Sequence, residues 1–225
     1  MSEKERKLFG TDGIRGVANQ HPMTPDLILR MGKAVACLFR NATHRHRIII
    51  GRDTRLSGPM IEDALVAGIC SMGVDALIAG VLPTPAVAFL SKEMKADAAI
   101  MISASHNPFE DNGIKIFQRG GLKLPDSMEA RIEALIASDR LGESAPTGAA
   151  IGRAGTISGA DGRYAEFLKR AIPRDFSLKG LKIVVDCANG AGYRIAPLVL
   201  DALGAEVISM KNNPDGRNIN LKCGA

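Results

Sequence analysis

Two short polar segments carry side chains whose types and spacing suit phosphate chemistry. The first, FGTDGIRG at residues 9–16, places three glycines around an aspartate and includes Arg15. Glycines allow sharp turns whose N–H groups can face an anion, and arginine is a forked, permanently charged donor. A glycine-rich turn before the first strand explains the segment equally well, so the residues alone leave both interpretations open.

The second segment, SASHNP at residues 103–108, follows the apolar stretch AAIMI and precedes DNGIK at residues 111–115. Ligand sites in open α/β sheets form beyond the carboxyl ends of strands. Turns explain the Asn-Pro and Asp-Asn-Gly steps, but not the whole set of hydroxyl, imidazole, amide and amine groups, which are costly to bury without a task. We therefore predict a functional site here. Ser103 and Ser105 have the same strand parity, so alternation does not choose between them.

Alternating helix and strand patterns surround both segments and predict an α/β fold with a sheet between helices. A later helix is predicted to begin at a capping box formed by Asp126 and Glu129. The other helices are predicted over residues 24–40, 59–72 and 85–94, and the strands over 47–51, 74–81 and 98–102.

A stretch rich in Gly, Ala, Ser and Thr at residues 142–160 predicts a connection between domains. We place the first domain at 1–152 and a second α/β unit at 153–225. The pattern restarts there with helices over 161–171 and 192–203 and strands over 181–186 and 206–210. Because so short a unit is near the lower limit for an independent domain, we expect it to be incomplete. Its exposed strand edges would allow a homo-oligomer.

Composition favours a cytoplasmic globular protein. The chain has 225 residues, of which 46% are hydrophobic and 24% charged. No apolar signal region opens it, and no stretch is long enough to cross a bilayer, so we expect no membrane partner. The four cysteines are widely spaced and predict reduced thiols.

A net charge of +5 suits a small anionic ligand as well as it suits nucleic acid. The basic residues are not clustered with aromatics, and we interpret the run HRHR at 44–47 as a solvated loop, so no nucleic-acid partner is predicted. The sequence NGAG at 189–192 starts like a dinucleotide fingerprint, but Ile195 replaces its third glycine. We interpret it as a tight turn and predict no nucleotide cofactor.

The motifs themselves carry a family resemblance. FGTDGIRG, ISASHNP at 102–108, NGIK at 112–115 and NNPDGRNINLKCG at 212–224 together resemble the α-D-phosphohexomutase family. The resemblance extends over nearly the whole chain. It implies domain 1 and the beginning of domain 2 of an enzyme that has further domains.

The resemblance also implies roles for four residues. Ser105 matches the serine that carries the transferable phosphoryl group, whose phosphate supplies one ligand to Mg²⁺. Lys115 matches a lysine near that group that assists proton transfer, and Arg15 matches an arginine lining the same site. His106 lies beside the phosphoserine and is expected to orient it.

The implied reaction is an isomerisation by intramolecular phosphotransfer. Ser105 gives its phosphoryl group to a phosphorylated hexosamine, a bisphosphorylated sugar forms and reorients, and the other phosphate returns to the serine. The family's aspartate-rich metal loop does not occur in this sequence. We therefore expect no complete turnover by this chain alone. Two alternatives remain, namely the same chemistry on mannose or glucose phosphates, and a non-catalytic chain that binds a phosphosugar or a protein.

Overall fold

The computed structural model describes residues 8–41 and 44–224. Within them the chain forms an α/β structure with nine strands and six α-helices. The helices are α1 (Pro25–Phe39), α2 (Gly58–Ser71), α3 (Thr84–Glu93), α4 (Asp126–Ala137), α5 (Ala160–Arg170) and α6 (Ile195–Ala202). The strands are β1 (Ile14–Val17), β2 (Arg47–Arg52), β3 (Asp75–Val81), β4 (Ala98–Ile102), β5 (Asp111–Gln118), β6 (Leu122–Lys123), β7 (Ala154–Thr156), β8 (Lys182–Asp186) and β9 (Glu206–Met210).

A seven-stranded mixed sheet organises most of the chain. Its strand order is β1-β5-β4-β2-β3-β7, with β6 beside β5. Strands β4, β2, β3 and β7 run parallel, whereas β5 is antiparallel to both β4 and β1. The carboxyl ends of β2 and β4 therefore lie at the same edge of the sheet, and the loops that follow them meet there.

Both faces of this sheet are covered. Ile48 and Ile50 of β2 pack in one buried cluster with residues of α1, α2 and α4. Ile49, on the opposite face of the same strand, packs in a second cluster with residues of α3 and α5. The alternation of side chains along a strand explains why an uninterrupted apolar run such as Ile48–Ile50 feeds two cores. The predicted α/β fold with a sheet between helices is confirmed.

Two local predictions are wrong, and one alternative explanation, a turn at residues 111–113, does not hold. Helix α4 begins at Asp126 with Pro125 at the capping position, so Asp126 and Glu129 form no capping box. Residues 111–113 form no turn but begin β5, because pairing with strands on both sides overrides the turn preference of Asp, Asn and Gly. In the basic run, His46 is only 2% exposed rather than solvated.

The stretch predicted as a connection contains regular structure. A 3₁₀ turn spans Gly148–Ala150, and β7 pairs in parallel with β3. The first sheet thus extends to Thr156, slightly beyond the boundary predicted at residue 152. The position of that boundary remains a prediction.

A second, smaller sheet follows. Strands β8 and β9 pair in parallel, Val184 opposite Ile208, and α6 contacts both β9 and α5. Among the described helices none has the length and apolar character to cross a membrane. All four cysteines are free and partly buried, in agreement with the predicted thiols.

Candidate active site

The loop after β4 separates the two serines that strand parity left equivalent. The Ser103 side chain is buried, and its hydroxyl donates to Asp53 Oδ2 at 2.6 Å and accepts from the N–H of Ser105 at 3.1 Å. Ser105 is exposed, with a left-handed backbone at φ 58°. Alternation ends with β4 at Ile102, so parity no longer applies. Of the two serines, Ser105 is therefore the exposed one.

Arg55 holds this loop from beneath. Its guanidinium, with the side chain 0% exposed, donates to the carbonyl oxygens of Ser105 and Asn107, each at 2.9 Å. It also donates to the carbonyls of Pro108 and Asp111. One planar, permanently charged fork thus satisfies four carbonyl oxygens around the serine, which fixes the sparsely populated backbone conformation there.

Asp53 completes the support. Its Oδ2 lies 2.9 Å from Arg55 Nε, and its Oδ1 accepts the backbone N–H of Arg55 at 3.0 Å. Because both charges are buried, each needs the other to avoid an uncompensated desolvation cost. The same carboxylate accepts from Ser103, so the loops after β2 and β4 are joined by one buried network.

The smaller sheet supplies a further contact to the serine loop. Asn220 Nδ2 donates to the carbonyls of Ser105 at 3.0 Å and Asn107 at 3.1 Å. The backbone of Asn220 is in turn held by the carbonyl of Ala188 at 2.9 Å. The backbone of Ser105 is therefore held by hydrogen bonds from both parts of the chain, from Arg55 after β2 and from Asn220 after β9.

Ser105 and His106 line a cavity of about 390 Å³ between these parts. Met101, Ser103 and Thr84, the first residue of α3, also line it. The NGAG turn contributes Gly190, Ala191 and Gly192. His106 is exposed beside the serine, in a position from which its imidazole can face a bound molecule.

Lys115 and Arg15 form a second group around Asp12. Lys115 Nζ lies 2.6 Å and Arg15 Nη2 2.8 Å from the same carboxylate oxygen. Partial burial alone would raise the pKa of Asp12, but hydrogen bonds and charge from Lys115 and then Arg15 lower it below its ordinary value. The group holds two cations and one anion, so it keeps a net positive charge.

Strand pairing positions these cations. Arg15 lies opposite Gly113 of β5, and Lys115 lies opposite Met101 of β4. Directly opposed residues share a face of the sheet, so Arg15, Lys115 and Met101 are on the face that α3 covers. Thr84 of α3 lines both the Ser105 cavity and the cavity of about 150 Å³ that contains Lys115. The four predicted residues thus lie in two neighbouring pairs, Ser105 with His106 and Lys115 with Arg15.

The glycines of the first segment serve close packing. A Cβ on Gly13, which has φ 90°, would collide with the carbonyl oxygen of Ile114. The N–H of Gly10 donates to the carbonyl of Gly13 at 2.9 Å and so is already used within the turn. Gly10 and Gly13 thus fit a glycine-rich turn, and contact of Arg15 with a bound anion stays a prediction.

The residues around Ser105 do not by themselves form a magnesium site. Mg²⁺ is held in proteins by carboxylates, phosphates and water oxygens. Among the residues lining this cavity only Asp53 carries a carboxylate, and Arg55 and Ser103 engage it. Of the described residues that line this cavity, none offers Mg²⁺ an unengaged carboxylate, and a ligand from a phosphate on Ser105 stays a prediction.

Sequence reasoning missed Asp53, Arg55 and Asn220. A signal for the first two was present, because RDTR at 52–55 follows an apolar strand just as SASHNP does. Asn220 had no local signal, since its role depends on how the chain returns to the serine loop after β9.

Comparisons with known proteins agree with this geometry. Residues 6–143 match the family model for phosphoglucomutase/phosphomannomutase, alpha/beta/alpha domain I. A phosphoglucosamine mutase from Geotalea uraniireducens is 59% identical over 98% of this chain, and one from Desulfotalea psychrophila is 57% identical over the same share. The chain spans about half of these relatives, 48% and 49% of their length.

A solved structure of a phosphoglucomutase/phosphomannomutase family protein from Burkholderia thailandensis superposes with a TM-score of 0.76 at 28% identity, covering 93% of this chain and 45% of that one. The family match covers more than half of the chain and includes the serine loop, Lys115 and Arg15. This chain is a member of the phosphoglucomutase/phosphomannomutase family, the α-D-phosphohexomutases.

Proposed function

We propose that this chain is the phosphoserine-bearing part of a cytoplasmic phosphoglucosamine mutase. It would take part in interconverting glucosamine 6-phosphate and glucosamine 1-phosphate for amino-sugar biosynthesis. The observation that carries the proposal is the exposed Ser105 hydroxyl, set at a cavity by Arg55 and Asn220 while Ser103 is buried. The similarity at 59% identity to a phosphoglucosamine mutase favours this sugar over glucose or mannose.

The transfer step balances without an external base. The bond between phosphorus and Ser105 Oγ breaks as a bond forms between phosphorus and a sugar hydroxyl oxygen. The proton lost by that hydroxyl ends on the serine oxygen. Catalysis is then a matter of positioning and of offsetting negative charge on the transferring group.

Residues of this chain would supply part of the positioning and part of the positive charge. Arg55 and Asn220 fix the loop through its carbonyls, so Ser105 Oγ needs little reorganisation. Lys115 and Arg15 would offer positive charge from the face that borders the cavity, and Lys115 would assist the proton transfer. Mg²⁺ would bind the phosphate of Ser105 and neutralise part of its charge. It would need further ligands besides those in the described part of this chain.

Phosphorylation of Ser105 tests the proposal directly. An enzyme in which the remaining domains complete this chain is incubated with glucosamine 1,6-bisphosphate and Mg²⁺ and then analysed by peptide mass spectrometry. We expect a phosphate-sized mass increment on Ser105, none in Ser105→Ala, and retention of Ser105 labelling in Ser103→Ala. Labelling of Ser103 or of neither serine, in a chain that is folded by circular dichroism, contradicts the assignment.

Sugar preference needs the remaining domains. In an enzyme completed with them, glucosamine 6-phosphate should turn over faster than glucose 6-phosphate or mannose 6-phosphate. The chain alone should show no complete turnover. Preference for mannose or glucose phosphates would keep the phosphoserine assignment and overturn the choice of sugar.

A further inference from the structure

The amino-terminal edge of the large sheet carries a cluster that the proposed phosphotransfer does not use. His44 and His46 precede β2, and Asp97 precedes β4. Ser105 follows the other end of β4. A strand rises about 3.3 Å per residue, so five residues of β4 separate the two clusters by roughly 16 Å along the sheet. The two are independent sites.

The three side chains present their donor atoms to one point. His44 Nε2 lies 3.0 Å from Asp97 Oδ1, and His46 Nδ1 lies 3.1 Å from Asp97 Oδ2. One donor atom from each residue lies within 4.8 Å of the others. Donors at about 2.1 Å from a tetrahedral ion are roughly 3.4 Å apart, so a small outward adjustment accommodates a metal.

His46 provides an observation independent of that convergence. Its side chain is 3% exposed, and Nδ1 lies 3.1 Å from Asp97 Oδ2 without a well-aligned hydrogen bond to it or to another described residue. The other ring nitrogen, Nε2, accepts the backbone N–H of Asn41 at 3.1 Å and also lies 3.2 Å from the carbonyl oxygen and 3.1 Å from the side-chain oxygen of Asn41. Asn41 therefore engages Nε2, and Nδ1 is the ring nitrogen that remains for a metal ion.

The surroundings favour a bound ion over a closed core. Asp97 Oδ2 also accepts the backbone N–H of Arg47 at 3.0 Å, which fixes the carboxylate. The Arg47 guanidinium turns away to the carbonyl of Met94, and Arg45 pairs with Asp75. The His44 side chain is 44% exposed and gives the site an opening to solvent.

We propose that His44, His46 and Asp97 form a binding site for one Zn²⁺ ion, completed by water. Two imidazole nitrogens and one carboxylate oxygen suit Zn²⁺, whereas Mg²⁺ prefers oxygen ligands only. The ion joins the segment before β2 to the segment before β4. Its role is to stabilise this edge of the sheet, away from the phosphotransfer cavity.

Zinc binding to single-residue variants tests the site. Chelator-treated protein is titrated with Zn²⁺ against a chromogenic competitor near neutral pH. We expect one Zn²⁺ per chain and at least about a tenfold loss of affinity in His44→Ala. His21→Ala, which removes another exposed histidine, is the matched control and should bind like the parent chain. Equal affinity in His44→Ala and the parent, or no stoichiometric binding, overturns the proposal.

Two further measurements separate loss of ligands from loss of fold. His46→Ala and Asp97→Asn alter buried groups, so their folding is checked by circular dichroism without metal. Zn²⁺ should raise the melting temperature of the parent chain more than that of His44→Ala, because only a metal bound to the folded state stabilises it. With Co²⁺, the parent should give tetrahedral bands without thiolate charge transfer. A thiolate band would place the metal on cysteine and contradict the site.

Discussion

The two sheets of this chain are built from similar strands but are buried very differently. Ile48, Ile49 and Ile50 of β2 are fully buried between two layers of helices. In the smaller sheet, Val184 is 59% and Ile208 44% exposed, on a face without a covering helix among the described residues. Parallel sheets are normally covered on both faces. The smaller sheet therefore has much less apolar burial to hold it.

This difference matters for the serine loop, because the loop is held from both regions. Arg55 belongs to the well-buried region and reaches four loop carbonyls. Asn220 belongs to the poorly buried one and reaches two. We infer that the large sheet determines the resting conformation of Ser105 and that the smaller unit adds a contact that opens more easily.

Arg55→Ala should have the largest effect. It leaves Asp53 as a buried charge without its partner and removes the donor from four carbonyls, so we expect a loss of about 3–5 kcal/mol in unfolding free energy. Urea denaturation measures it. Arg55→Lys keeps the positive charge but not the forked guanidinium, so its unfolding free energy should lie between those of the parent chain and Arg55→Ala. A loss below about 1 kcal/mol in Arg55→Ala would mean that the guanidinium is not the support of the loop.

A pair of isoleucines compares the sheets directly. Ile100 of β4 is fully buried, so Ile100→Ala should cost about 2–5 kcal/mol through lost transfer energy and a cavity. Ile208 lies on the bare face, so Ile208→Ala should change stability by less than about 0.5 kcal/mol. Both are measured by the same denaturation. A large cost at Ile208 would show that something covers this face in solution, such as a second copy of the chain, which light scattering would detect.

Sequence patterns predicted the three central parallel strands of the large sheet because these strands are apolar, but they did not predict β1, β6 or β7. The strand over 98–102 and the strand over 206–210 match β4 and β9. Strand β5 was missed because Asp111, Asn112 and Gly113 favour turns, and only pairing on both sides makes them extended. Local sequence does not contain that pairing.

The candidate site was likewise predicted only where local sequence determines it. Sequence alone located the loop after β4, since a polar run follows an apolar strand, but it did not separate Ser103 from Ser105. That difference arises where the chain leaves the strand and Ser103 turns to Asp53. Burial of His46 was likewise missed, because a basic run looks solvated until Asp97 arrives beside it from another strand.

Asn220→Ala tests the contact that the smaller unit makes with the serine loop. Two hydrogen bonds from a partly exposed amide are lost, so the global cost should be about 1 kcal/mol. Amide hydrogen exchange should quicken in residues 103–111 and in β8 and β9, but not in β2. Asn218→Ala is the matched control, because its amide donates to the nearby carbonyl of Asn213. If exchange in the serine loop is unchanged in Asn220→Ala, the two regions are not coupled through this residue.

The smallest effect concerns Asp12, which ties β1 to Lys115 at the edge of the large sheet. Its pKa is lowered in the folded chain, so the ion pair contributes stability above the ordinary value of 3.8 and loses it as the pH falls through 3.8 towards the folded-state pKa. Lys115→Met should raise the pKa of Asp12, read from its carboxyl carbon in an NMR titration. Lys123→Met removes a neighbouring charge that donates to the carbonyl of Thr11 instead, and should shift it less. Because Asp12 is 53% exposed, added salt should shrink the difference between the two variants. Equal shifts in both would mean that Asp12 senses general positive charge at this edge rather than its contact with Lys115.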